Sequence, residues 1–173
     1  MADSYNFTFL QNIHNDTESL SKFVRLYRFK STKTNRTYLV RVERYPHDVY
    51  IVKFYPKNLS NSKDRYSILT NDKEPRRIVN TCINILMDIF SDNPASSFGF
   101  IGSNSINEGK ENTKRYRVYK TIINTKFGNE TFEHYYNVKN SAYMLLRKTE
   151  LAKNSDLIDK IENYFYLAYN MAR

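Results

Sequence analysis

The chain has 173 residues, 40% of them hydrophobic and 26% charged, with a formal net charge of +9 at pH 7. This length predicts a single domain, residues 1–173, whose core needs no disulfides or structural metal. The only cysteine, Cys82, excludes an internal disulfide framework and indicates a reducing compartment. No signal peptide and no apolar run of membrane-spanning length occurs, so we expect a cytoplasmic protein without a membrane partner.

The first third of the chain has the two-residue periodicity of β-strands. Residues 22–30, 36–44 and 48–55 alternate aromatic or β-branched side chains with polar ones, and turn-like segments separate them. Short connections make antiparallel neighbours the expected arrangement. The pattern therefore predicts a β-meander, which strands at 5–10 and 65–69 are expected to join.

Residues 75–90 form the first clear helical pattern, because apolar residues recur there at three- and four-residue steps. Pro75 suits a first helical turn, and Asn71 or Asp72 could cap the helix. Pro94 marks its end. Such an apolar stripe must pack on another apolar surface, which we expect to be the sheet.

Residues 112–126, "NTKRYRVYKTIINTK", contain five Lys or Arg and no acid. On a helical wheel Tyr116, Tyr119 and Ile123 share one side, whereas Lys114 and Arg117 lie opposite. This division predicts a helix with a buried aromatic face and an exposed basic face, capped by Asn112 or Thr113.

The remaining elements complete the fold prediction. Residues 96–103 read as a short buried strand, and 131–138 and 141–148 as a strand pair. A final helix is expected from Ser155, its N-cap, to Met171. The order of the elements is several strands, helix, strand, helix, two strands and helix. This order predicts an α+β fold, in which a mainly antiparallel sheet with an N-terminal β-meander is covered by two or three amphipathic helices.

Sequence motifs for metal or cofactor chemistry are absent. The three histidines have no ligand spacing, and neither HExxH, CxxC nor a glycine-rich phosphate loop occurs. We therefore expect no cofactor and no metal site. His134 and Tyr136 could support acid–base cleavage of RNA together with Arg117, without a metal. Packing of their strand in the core is the alternative, and it is favoured, so an enzymatic role is not the leading interpretation.

Positive charge is concentrated in two segments, which is typical of a binding footprint. The first basic segment, 22–53, has nine basic and two acidic residues, and the second basic segment, 112–126, has five basic and none acidic. Arginine suits bidentate phosphate contacts. The residues predicted to bind nucleic acid or another partner are Arg25, Arg28, Arg41, Arg44, Arg115, Arg117 and Lys120.

The run "FGFIGSNSINEGKENTKRYRVYK", residues 98–120, follows an amphipathic helix. It resembles short uncharacterised bacterial proteins of mobile-element and defence neighbourhoods. The resemblance implies a context of phage defence or counter-defence. It carries over no activity and no site residues.

Three functions are consistent with these observations. The leading expectation is a basic, non-enzymatic protein that binds nucleic acid, DNA or RNA, or an acidic or nucleoprotein complex. The alternative is a protein-interaction module, such as an inhibitor or immunity protein, that binds through Tyr and Phe residues. The third is a metal-independent ribonuclease toxin. The oligomeric state and the partner's identity stay open.

Overall fold

A computed structural model describes residues 3–66, 74–103 and 108–169, and side chains up to residue 166. Its strands are β1 (Phe7–Ile13), β2 (Phe23–Lys30), β3 (Thr37–Tyr45), β4 (Val49–Pro56), β5 (Ser97–Ile101), β6 (Phe132–Asn137) and β7 (Ala142–Arg147). Its helices are α1 (Pro75–Asp92), α2 (Lys114–Lys126), α3 (Lys148–Lys153) and α4 (Leu157–Tyr169).

The strands form one seven-stranded sheet in the order β1-β2-β3-β4-β5-β7-β6. All neighbours pair antiparallel except β4 and β5, which run parallel because α1 connects them as a crossover. The predicted α+β class, with a mainly antiparallel sheet and an N-terminal meander, is confirmed. The parallel pair was not predicted, since short strand patterns alone do not reveal the direction of pairing.

One face of the sheet packs against α1 and α2. Alternation places Tyr38, Val40 and Val42 of β3 on this face, as the sequence pattern predicted, and all three are buried. Helix α1 contributes its apolar stripe, including Cys82, which is fully buried and whose burial raises the pKa of the thiol to about 12. Cys82 is therefore a core residue and not a reactive thiol.

The other face packs against α4 over the middle of the sheet. Leu157, Ile161 and Phe165 of α4 form a second buried cluster with β4 and β7 residues. Gly99 of β5 faces Phe165, and a Cβ built on this glycine would lie 2.8 Å from the Phe165 Cζ atom. A side chain at this position would force the Phe165 ring to shift where the helix crosses the strand.

Several local predictions differ from the structure. Arg65 and Tyr66 form a turn instead of the start of a strand, and the rest of the predicted strand 65–69 lies outside the described residues. The predicted caps Asn71 and Asp72 also lie outside them, and Glu74 is the residue that precedes α1. The sequence pattern missed α3, since six residues are too few for an apolar stripe.

None of the helices in the described part of the chain combines the length and the apolarity that crossing a lipid bilayer requires.

Candidate nucleic-acid interface

Helix α2 begins and packs as its sequence predicts. The hydroxyl of Thr113 accepts a hydrogen bond from the Tyr116 amide at 3.1 Å, which caps the helix start. Tyr116, Tyr119 and Ile123 are buried against α1 and the sheet. Because this side of the helix is fixed in the core, the opposite side must face solvent.

The exposed side of α2, which we call the α2 outer face, is basic. It consists of Lys114, Arg117, Lys120, Thr121 and Asn124, all of them exposed. The helix contains no acidic residue, and no carboxylate of the described residues forms an ion pair with its cations. The predicted contact residues Arg117 and Lys120 are three positions apart, so they lie next to each other on this surface.

An aromatic side chain from the edge strand adjoins the α2 outer face. Tyr136 of β6 is 41% exposed, and the Lys120 ammonium lies 5.2 Å from the centre of its ring. Its hydroxyl donates a hydrogen bond to the Asn124 side-chain oxygen at 2.9 Å. Cations and an exposed aromatic ring are thus combined on one surface, as in proteins that bind single-stranded nucleic acid.

A hydrogen-bonded cluster holds Tyr136 in place from below. The buried Tyr143 of β7 donates to the same Asn124 oxygen at 2.8 Å, and its ring packs edge-on against Tyr136, with centroids 4.7 Å apart. The Tyr143 hydroxyl is also hydrogen-bonded to the Nδ1 atom of His134. Burial, then the hydrogen bond with Tyr136, raises the pKa of Tyr143, so it remains protonated at neutral pH.

The cluster does not present an accessible catalytic base. His134 Nδ1 is bonded to Tyr143, and its Nε2 atom is buried without a hydrogen bond to any described residue. Both ring nitrogens are therefore withdrawn from a molecule bound at the surface. Tyr136 is accessible, but its hydroxyl donates to Asn124, so its ring is the part that it offers to a bound molecule.

The predicted arginines of the meander are dispersed over the sheet. Alternation along β2 puts Arg28 on the face opposite α1, where it is exposed, and Arg25 on the α1 face, where it is half-buried and bonded to the Tyr27 hydroxyl. Arg44 pairs with Asp48 at 2.5 Å and packs over the Phe23 ring. These three residues do not form one surface with α2.

Arg41, a predicted contact residue, is not on the surface. Its side chain is buried, and its guanidinium pairs with Asp16 at 2.8 Å, Glu18 at 3.3 Å and Glu43 at 3.5 Å. Arg41 lies beside β4, on the face of the sheet that the loops after β1 and β4 cover. These loops exclude solvent from its side chain. Buried charges must be paired, and two of the three acids that pair Arg41, Asp16 and Glu18, are distant from it in sequence.

Arg41 belongs to a network of three carboxylates and three cations, which we call the buried ion network: Asp16, Glu18 and Glu43 with Arg41, Lys53 and Arg65. Burial alone would raise the pKa of Glu18, but a hydrogen bond from Tyr66 and the charges of Arg41 and Arg65 lower it. The pKa of Asp16 is likewise lowered, because its bonds with Ser19 and Arg41 outweigh burial.

Arg115 points away from the α2 outer face, although it belongs to the same helix as Arg117 and Lys120. Its guanidinium donates to the Tyr66 carbonyl and lies 5.2 Å from the centre of the Phe54 ring. Burial lowers the pKa of Arg115. It therefore lines a pocket at the end of β4 and is separate from Arg117 and Lys120.

Sequence reasoning missed Asn124 and Tyr143 as members of the site. Both lie in correctly predicted elements, but a tyrosine in a buried strand reads as core, and an asparagine on a helix surface reads as solvated. The spacing of Arg117, Lys120 and Asn124 on one helical side could have pointed to Asn124, whereas only the pairing of β6 with β7 brings Tyr143 beneath Tyr136.

Comparison with known proteins identifies no relative: no family model, no curated protein and no solved structure matches the chain. Within the described ranges, no group of three or more His, Cys, Asp or Glu residues could hold a metal ion. The function is therefore inferred from the geometry of the chain itself.

Proposed function

We propose that the protein binds nucleic acid through the α2 outer face and Tyr136. The observation that carries this proposal is the combination of adjacent exposed cations, Arg117 and Lys120, with an exposed tyrosine on a helix without acids. The context of phage defence or its countering, in a reducing compartment, is supported only by the resemblance at residues 98–120 and by the single cysteine.

The cations supply the electrostatic part of this binding. Each Lys or Arg that contacts a phosphate releases condensed counterions, so affinity falls steeply as salt concentration rises. Arg117 and Lys120 are adjacent on one helical side, and Lys114 continues the row toward the helix start. A row of this kind can follow consecutive phosphates of one strand.

Tyr136 makes a single strand the preferred substrate. A base can stack on an exposed aromatic ring only when it is not held in a duplex, and such stacking contributes about 1–3 kcal/mol per base. The bonds from Tyr136 to Asn124 and the packing on Tyr143 restrict the ring before any ligand arrives. A restrained ring loses less conformational entropy on binding.

Fluorescence anisotropy with labelled single- and double-stranded DNA and RNA at about 50 and 200 mM salt tests the proposal. The native chain should bind single strands more tightly, and binding should weaken at the higher salt. The Arg117→Glu/Lys120→Glu double variant should abolish binding while keeping its circular dichroism spectrum and melting temperature. Tyr136→Ala should reduce the preference for single strands.

Arg28 and Lys30 provide a matched control. Both are exposed cations of β2, on the face of the sheet opposite α2. The Arg28→Glu/Lys30→Glu variant makes the same change in net charge as the Arg117→Glu/Lys120→Glu variant. The control should bind nearly as well as the native chain. Equal losses in the two double variants would attribute binding to net charge, and full binding by the Arg117/Lys120 variant would overturn the proposal.

A second candidate function, a protein-interaction module, is favoured by the edge strand β1. This strand, FTFLQNI, carries no charge, and its Phe9 and Leu10 are 48% and 40% exposed. An uncharged exposed edge is a template for pairing with another strand. A second copy of the chain is the expected occupant, since β1 has no charged residue and places no like charges opposite each other when it pairs with its own copy.

Light scattering at high salt tests this second function. A dimer that forms there and disappears in Leu10→Lys would support pairing through β1, because a lysine on the edge opposes strand addition. A monomeric native chain at high protein concentration would contradict it. Neither result depends on Arg117 or Lys120, so the two functions are tested separately.

A further inference from the structure

The carboxyl ends of the parallel strands β4 and β5 enclose a small pocket. Strand β4 pairs with β5 through residues 49–52, but β4 continues to Pro56, whereas the chain leaves the sheet after Ile101. The opening between them holds a small pocket that is open to solvent, with Lys53, Phe54, Ser103 and Arg115 among its walls. In sheets with parallel strands, ligands bind preferentially at this end, where neighbouring connections diverge.

The pocket brings the two basic segments together. Lys53 comes from β4 of the first segment and Arg115 from α2 of the second. The Lys53 ammonium lies 3.4 Å from Glu43, and burial lowers the pKa of Lys53 despite that carboxylate. Each cation is thus held in a site where its charge is poorly solvated, which favours the approach of an anion.

Arg115 is the cation of the pocket that lies outside the buried ion network. The buried ion network, to which Lys53 belongs, contains three carboxylates and three cations and is neutral as a group. The Arg115 guanidinium contacts the Tyr66 carbonyl and the Phe54 ring, and it feels the charge of Glu108 without forming an ion pair with it. A guanidinium has five N–H donors, so Arg115 keeps donors for a ligand.

We propose that this pocket binds a phosphoryl group. Arg115 would bind two of its oxygens in a bidentate manner and Lys53 a third, while the Ser103 hydroxyl adds a neutral donor. The enclosed part of the pocket has room for little more than a water molecule, so the phosphoryl group would bind at its mouth and the rest of its molecule would extend into solvent. The amide of Lys114 is bonded to Glu108 and that of Tyr116 to Thr113, so the side chains, not the helix start, attract the anion.

This site is separate from the α2 outer face. Its cations are Lys53 and Arg115, and the proposed nucleic-acid surface uses Arg117, Lys120 and Tyr136. The phosphoryl group could belong to free phosphate, to a mononucleotide or to the phosphorylated end of a nucleic acid. The same tetrahedral anion is recognised in each case, and the titrations below distinguish these sources.

The test is a ¹⁵N NMR titration of the full chain with sodium phosphate, at ionic strength held constant with sodium chloride. Phosphate should shift the amides of Ser103 and Arg115 in a saturable manner. Arg115→Met should weaken this binding roughly tenfold or more, the loss expected for hydrogen bonds from a charged group. Arg115→Lys should retain part of the affinity, and Arg28→Met, with the same loss of charge on a distant strand, should retain all of it.

Further titrations identify the source of the phosphoryl group. Adenosine 5′-monophosphate should compete with phosphate if a mononucleotide is bound, and a 5′-phosphorylated oligonucleotide should bind more tightly than its unphosphorylated copy if an end is bound. If neither occurs, free phosphate is the ligand. The proposal is overturned if phosphate causes no saturable shift, or if Arg115→Met and Arg28→Met weaken binding equally. The Arg117→Glu/Lys120→Glu variant should still bind phosphate, so the two sites can fail independently.

Discussion

Both basic segments are rich in Lys and Arg, but the structure places their cations in different surroundings. In the first basic segment, Arg41, Arg44 and Lys53 pair with carboxylates, and two of the three lie in the buried ion network. In the second, Arg117 and Lys120 remain exposed, without an ion pair to the described residues. A strand inside a sheet can be covered on both faces, as β3 is at Arg41, whereas a helix packed on one side keeps its other side in solvent. Charge density in a sequence therefore predicts a surface best where the element has an obligatory exposed side.

The largest expected effect follows from removing a charge from the buried ion network. Arg41→Met leaves Asp16, Glu18 and Glu43 without their common partner, which should cost about 3–5 kcal/mol of unfolding free energy. Urea denaturation measures this loss. Arg28→Met, the exposed control on β2, should change stability by no more than about 0.5 kcal/mol. Similar small effects of the two variants would remove the distinction between buried and exposed cations.

The hydroxyl of Tyr143 should contribute less. Tyr143→Phe removes the partner of His134 Nδ1 and one donor to Asn124, and leaving buried polar atoms unsatisfied costs about 1–3 kcal/mol. Tyr136→Phe, whose hydroxyl is at the surface, should cost about 0.5–1 kcal/mol, in the same denaturation assay. A Tyr143→Phe variant as stable as the native chain would mean that the cluster does not hold Tyr136 in place.

Acid should act selectively on the buried ion network. The pKa values of Asp16 and Glu18 are lower in the folded chain than in the unfolded chain, so the unfolded chain binds more protons at low pH. Their contribution is present above the unfolded values of about 4 and is lost as pH falls through the folded values. Urea midpoints should therefore fall below about pH 4 in the native chain, and less steeply in Arg41→Met. Parallel pH profiles would contradict this coupling.

The smallest expected effect is a change in the salt dependence of nucleic-acid binding when a single cation is removed from either basic segment. Arg117→Ala should lower the slope of log affinity against log salt by about 1, as the loss of one phosphate contact does. Arg28→Ala should leave that slope unchanged, because Arg28 lies on the opposite face of the sheet from α2. Anisotropy titrations at several salt concentrations give both slopes. Equal slopes for the two variants would extend the contact surface to β2.

Local periodicity was sufficient to predict most secondary-structure elements. The meander, α1 and α2 were predicted within a few residues, since each has a clear two-residue or helical apolar pattern. Burial of Tyr116 and exposure of Arg117 followed from the same pattern. The acids that neutralise Arg41 could not be predicted, because Asp16 and Glu18 reach it from a loop about 25 positions earlier in the chain.

The sequence by itself determined the α+β class, the core faces of the strands and the basic side of α2, because these depend on spacing along one element. Only the tertiary structure decided which cations are exposed, that Tyr143 supports Tyr136, and that Lys53 and Arg115 line one pocket. Those relations depend on sheet order and on the crossover from β4 to β5, which bring distant residues together. A side chain's charge is encoded locally, but its solvation is set by the elements that pack around it.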